Sequence, residues 1–185
     1  MEWLLQASTV RKTLQASIAL QLVTLATSYA IWVYEGCDPF MPFISDTDTN
    51  PVSGVPFTLG FSVSGLLILV LSWQYYRLRA DWIPSHPGVP RLGLLNLVSA
   101  ILAALAGAFT IWIAFTPWNQ ELALHLVQAK VIFGGLGLWA ILSTVMASDM
   151  ASLDSRFEVV YRARRLRTVF MLACASLLGL SVLQY

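Results

Sequence analysis

Charge is scarce in this sequence, and the scarcity decides its class. Lys, Arg, Asp and Glu together make up 11% of the 185 residues, less than half of the roughly 25% usual in a soluble globular domain. With 57% hydrophobic residues and a mean hydropathy of +0.70, the chain reads as a membrane protein. The formal net charge of +1 offers no basic surface for nucleic acid, which is excluded as a partner. Only two cysteines are present, Cys37 and Cys174. They are too few for a disulfide framework, and Cys174 lies inside an apolar run where it would not meet Cys37. The sequence also lacks HExxH, GxSxG, CxxC and a phosphate-cradling glycine loop, so no catalytic residue, cofactor or metal is assigned. Glu35, Asp38, Asp46, Asp48, Glu121 and His125 are donors suited to a hard cation, but their spacing fits no known binding loop. No internal repeat appears, nor the paired broken helices of a secondary transporter.

What the chain has instead is apolar length. A helix needs about 20 residues to cross a hydrocarbon core, because lipid cannot satisfy exposed backbone groups. Five stretches qualify, at about 14–33, 57–76, 92–115, 124–147 and 168–184. The expected fold is therefore all-α, a single transmembrane domain over 1–185 built as a polytopic bundle of five spans. The first span is read as retained rather than as a signal peptide, since it is long, polar at Gln21, Thr24 and Thr27, and ends in no small-residue cleavage site. Arg11, Lys12, Arg77, Arg79, Arg91, Arg156, Arg162, Arg164, Arg165 and Arg167, ten of the eleven cations, fall on one side of these spans. By the positive-inside rule that side is cytoplasmic, with the N-terminus on it and the C-terminus outside or lumenal. Trp and Tyr residues near the span ends, among them Trp32, Trp73, Trp82, Trp112 and Trp118, act as interface anchors. The opening "MEWLLQASTV" is expected to lie along the membrane surface with Trp3, Leu4 and Leu5 inserted.

Helices in lipid approach closely through small residues. The third span offers two such stripes, Ala100, Ala104 and Ala108, or Ala103 with Gly107. The second offers Gly60 with Ser64, and the fourth offers "FGGLGLW" at 133–139. Polar exceptions inside the spans are functional candidates by default. Lys130 lies about 9 Å inside the outer end of the fourth span. Its stem can snorkel outward, or it pairs with Asp46, Asp48 or an anionic headgroup. His125 stands nearer the same boundary and repeats with Ala129 and Phe133 at four-residue spacing.

The most specific segment is the first outer loop, 35–56. "DPFMPFISDTDTNP" followed by "FTLGFSVSG" closely resembles the signature NPF.PYISDTGT.PP of the family that joins the DRAM autophagy modulators, the FRAG proteins of GPI-anchor maturation and the Sfk membrane adaptors. Pro39, Phe40, Pro42, Ile44, Ser45, Asp46, Thr47, Thr49 and Pro51 match; Asp48 stands where the family usually has Gly, and Val52 replaces a second Pro. "LNLVSAILAALAG" resembles a further family span. A family Gly at 48 could take a positive φ that Asp adopts less readily. The family typically has six spans with both termini cytoplasmic, one more than fits here, so a short member or a partner-supplied helix is expected.

On physical grounds the loop reads as an ordered cover. Prolines stiffen it, Ser45, Asp46, Thr47 and Thr49 bond back to their own backbone, and Phe40, Met41, Phe43 and Ile44 dip into the outer leaflet or plug into the helices. A headgroup or partner site on Asp46 is the second reading. The resemblance implies a non-enzymatic membrane protein of the lysosome, Golgi or plasma membrane that contacts membrane lipids and other membrane proteins in autophagy, GPI-anchor or phosphoinositide-related adaptor roles. The loop "RFEVVYRARRLR", 156–167, carries Arg162, Arg164, Arg165 and Arg167. It serves either as a topology determinant or as an anionic-lipid contact worth about 1 kcal/mol per charge. Rival readings are a lipid-processing enzyme or carrier using Lys130, His125 and the outer carboxylates, and an accessory subunit of a larger complex.

Overall fold

The structure is a computed structural model that describes residues 2–40, 44–86 and 88–183, with side chains in the last helix described as far as Ser176. The described residues form five α-helices in order: α1 Ala7–Tyr34, α2 Pro51–Trp82, α3 Leu92–Ile113, α4 Leu122–Leu153 and α5 Glu158–Leu183. No strand occurs among the described residues. Helices α1 to α4 are each long and apolar enough to cross a membrane. The stretch expected as a fifth span falls in α5, and Gln184 and Tyr185 lie outside the described residues.

The helices outrun the expected spans at several ends, for readable reasons. Asn50 caps α2, its Oδ1 accepting from the backbone N–H of Val52 at 2.8 Å and of Ser53 at 3.3 Å, and Pro51 supplies the fixed φ of a first helical residue. The helix therefore starts six residues before the expected span, and Pro56, read as loop, lies inside it. The arginine-rich stretch expected as a loop is mostly helix as well. Asp154 accepts from the N–H of Arg156 at 3.0 Å and begins a short turn. Glu158 then opens α5 and pairs with Arg162 one turn on, at 2.8 Å.

Packing runs chiefly between chain neighbours, α1 on α2, α2 on α3, α3 on α4 and α4 on α5, which is an up-and-down bundle. Its polarity is inverted relative to a soluble protein. Val10, Ser17, Thr24 and Ser28 form the buried stripe of α1, while Leu22, Val23, Leu59, Leu66 and Leu94 are exposed, as lipid-facing side chains are. Glycines set the closest approaches. A Cβ on Gly65 of α2 would stand 2.6 Å from the carbonyl oxygen of Gly107 on α3, and one on Gly60 would overlap the Thr24 side chain of α1. Of the two stripes offered by the third span, α3 buries Ala103, Ala106 and Gly107 and leaves Ala108 exposed. In α4 only Gly135 of the "FGGLGLW" glycines meets a neighbour, close to the Leu102 carbonyl and Ala106 of α3; Gly134 and Gly137 face open space.

The alternation brings the cations to one end. Gln74 near the end of α2 donates to the Leu4 carbonyl at 2.9 Å, holding the N-terminal turn Glu2–Leu5 there. In that turn Leu4 and Leu5 are partly covered, whereas Trp3 is exposed. Arg91 at the start of α3 forms a two-bond pair with Asp149 near the end of α4, at 2.9 and 2.6 Å. Beneath it, Leu92, Met146 and Met150 form an apolar cluster with Trp82 and Phe157. The first outer loop and the Ala114–Glu121 turn occupy the opposite end.

Candidate functional site

The family-like loop of the sequence folds into a braced cover over the end of the bundle opposite the arginines. A 3-10 turn, Ile44–Asp48, is closed by its own side chains. The Thr47 hydroxyl donates to the Ile44 carbonyl at 2.8 Å, and the Thr49 hydroxyl to the Asp46 carbonyl at 2.8 Å. Ser53, in the first turn of α2, donates its hydroxyl to the Thr47 carbonyl at 2.6 Å and so ties the turn to the helix below. On the other flank, the Tyr29 hydroxyl donates to the Pro39 carbonyl at 2.9 Å, and Trp32 Nε1 to the Asp38 carbonyl at 3.1 Å. Trp118 Nε1 donates to Asp46 Oδ1 at 3.0 Å and so ties the Ala114–Glu121 turn to this loop. Pro42, with Met41 and Phe43, lies outside the described residues. Ser45 is half-buried in the turn.

Of the two placements expected for the apolar side chains of the cover, Phe40 and Ile44 do not plug into the helices but face away from them. The polar half of the cover is what sits against the helices, with Thr47 and Asp48 buried, while Phe40 is 82% and Ile44 53% exposed. The reason is the neighbour below. The start of α2 presents Ser53 and Gly54, a polar and a side-chain-free surface, so carbonyls and hydroxyls pack there and the apolar groups turn away. A Cβ on Gly54 would come within 3.2 Å of the Asp48 carbonyl oxygen and 3.3 Å of its Oδ1. Asp48 itself is only 7% exposed, and its Oδ2 has no hydrogen-bond partner among the described residues. Burial pushes its carboxyl up to about 6, because a charge removed from water loses solvation. Asp48 ends a 3-10 turn, so the backbone at this position does not call for a positive φ.

His125 belongs to the same end but serves the second outer turn. It is 6% exposed, and its Nδ1 donates to the Thr116 carbonyl at 2.7 Å; a carbonyl can only accept, which fixes the proton on Nδ1. Gln128 Nε2 donates to Thr116 Oγ1 at 3.2 Å, and that hydroxyl donates to the Trp112 carbonyl at 3.2 Å. From α2, the Thr58 hydroxyl donates to the Ala114 carbonyl at 2.9 Å. These side chains satisfy carbonyls left open where α3 ends. Lys130 is not brought into this cluster. Five residues on from His125 it lies about 140° around α4, and it is exposed. The four-residue row drifts likewise: His125 is buried, Ala129 half-buried and Phe133 exposed. Among the described residues, no three His, Cys, Asp or Glu side chains converge to hold a metal ion.

Of the expected lipid-contact arginines, Arg162, Arg165 and Arg167 are exposed on α5, while Arg164 is half-buried and faces α2. Sequence reasoning passed over Arg79, which it counted only as a topology charge. Its guanidinium donates to Ser99 Oγ of α3 at 3.4 Å and to Ser143 Oγ of α4 at 3.1 Å. Its place in the last turn of α2, five residues before Pro84, carried no signal of this; only the serines on the two following helices reveal it.

A bundle of long apolar helices with small and polar residues inside, large apolar ones outside, and arginines gathered at one end defines an integral membrane protein. Residues 15–185 match the family described as the Frag1/DRAM/Sfk1/Cwh43P N-terminal domain. The chain belongs to that family. Comparisons with curated proteins and with solved structures return no match.

Proposed function

We propose that this protein is a non-enzymatic polytopic membrane protein that works by contact, presenting its braced cover on the outer or lumenal side to a lipid or another membrane protein. In this reading the arginine end is cytoplasmic, α5 is a fifth span, and the exposed arginines of α5 attract anionic lipid. The autophagy, GPI-anchor and phosphoinositide-adaptor roles named for the family are all compatible with such a part, at an endomembrane or the plasma membrane. The observation that carries the reading is the Asp46–Trp118 bond at 3.0 Å. It joins the two outer loops into one platform from which Phe40 and Ile44 project. Polar groups that an enzyme would aim at a substrate are here spent on backbone: His125 on the Thr116 carbonyl, Ser53 on the Thr47 carbonyl.

The test is site-specific photo-crosslinking in membranes with Phe40→p-benzoylphenylalanine, with and without Asp46→Ala. Discrete adducts to a membrane protein or phospholipid are expected, and Asp46→Ala should reduce them while insertion is unchanged. Adducts indifferent to Asp46→Ala, or a lipid-processing turnover abolished by His125→Ala or Lys130→Ala, would overturn the reading.

A further inference from the structure

At the arginine end, α2, α4 and α5 enclose a cavity of about 270 Å³. Two guanidiniums stand over one ring in its wall. Arg79 Cζ is 5.5 Å and Arg164 Cζ 5.9 Å from the centre of Tyr75. Neither arginine has a carboxylate within ion-pair distance among the described residues, although Arg77, Arg91, Arg156 and Arg162 each have one. The hydrogen bonds of the Arg79 side chain among the described residues go to the hydroxyls of Ser99 and Ser143. These residues lie seven positions into α3 and ten before the end of α4, so from the last turn of α2 the Arg79 guanidinium reaches inward between the helices. The remaining wall is apolar, with Met150, Phe157 and Val160.

Two like charges drawn together in a half-enclosed, mostly apolar site repel each other and lack solvation; stacking on one tyrosine offsets part of this. Their natural complement is a doubly anionic group with several acceptor oxygens, and a guanidinium fork matches phosphate better than any other group does. The apolar wall beside it suits hydrocarbon, not water. We infer that the cavity between α2, α4 and α5 is a binding site for the phosphate headgroup of an anionic phospholipid, clamped by Arg79 and Arg164 over Tyr75, with its acyl chain along Met150, Phe157 and Val160. This deepens the lipid part of the function proposed above, and it differs from diffuse attraction to exposed arginines because it names two that act in a pocket. The outer-cover crosslinking reports on the opposite end, so either proposal can fail alone.

The test uses the purified full chain in detergent, with thermal unfolding followed against dioctanoyl phosphatidic acid, dioctanoyl phosphatidylcholine and inorganic phosphate. Saturable stabilisation by phosphatidic acid is expected. Arg164→Gln should raise the half-saturating concentration at least tenfold, whereas Arg77→Gln, which removes the same charge from an exposed position of α2, should change it less than twofold. Arg164→Lys keeps the charge without the fork and is expected to fall between them; it stands in if the glutamine variant fails to fold. Equal loss in Arg77→Gln, equal stabilisation by phosphatidylcholine, or an equal effect of inorganic phosphate at matched concentration would each overturn the site.

Discussion

Asp48 gives the most direct check on how the outer cover is held. Its carboxyl is buried without a countercharge among the described residues and is pushed from an ordinary 3.8 up to about 6, a difference worth about 3 kcal/mol at most. The sign follows from linkage. A carboxyl whose folded value lies above its unfolded value favours folding fully below about pH 4, and that contribution is lost as pH rises through about 6. Between pH 5 and pH 7.5 the two titration curves leave a loss of about 1.4 kcal/mol, which corresponds to a fall of about 3–6 °C in unfolding midpoint for a chain of this length. Asp48→Asn keeps the shape and removes the ionisation. Unfolding in detergent micelles, followed by tryptophan fluorescence across this pH range, should show the wild type losing about that much relative to the variant, with the two nearest at pH 5. Parallel curves would refute the argument and mean that water or a cation reaches Asp48.

Two other substitutions read the packing. Trp118→Phe keeps the ring but removes the donor to Asp46; a loss of about 1 kcal/mol and faster proteolysis of the 44–50 segment are expected in limited digestion. Gly65→Ala would press a methyl against the Gly107 carbonyl and should destabilise the bundle by about 2 kcal/mol or more. Gly134→Ala and Gly137→Ala, which meet nothing within 4 Å, should be neutral or stabilise by up to about 1 kcal/mol; matched thermal unfolding of the three variants checks the contrast.

Much of this architecture was legible because lipid imposes a simple rule on length and hydropathy, and the arginines mark one end. The start of α2 was equally readable in Asn50-Pro51, a cap followed by a first-turn proline, had the loop prolines not drawn the boundary later. The arginine-rich stretch misled for an opposite reason: charge suggests a solvated loop, yet arginine is a good helix former, and the Glu158–Arg162 pair supports the first turns of α5. The cover motif announced its order but not which face it buries. That was decided by Ser53 and Gly54 beneath it, five residues beyond the turn. Arg79 and Lys130 show the remaining limit. Both are cations on apolar helices, Arg79 beside Arg77 on α2 and Lys130 on α4, and only the rotation of each helix against its neighbours turns one inward to Ser99 and Ser143 and leaves the other outside.

The neighbour-to-neighbour order of packing bears on how the chain is made. Each helix packs chiefly on its neighbours in the chain, so contacts stay short in sequence and little loop entropy is spent in forming them. A chain threaded into the bilayer from its N-terminus can therefore close α1 on α2, and the outer turn over both, before α4 has been synthesised. Residues such as Gly60 and Gly65 then act early, during insertion, while the α5 arginines complete their cavity only when the last hairpin arrives.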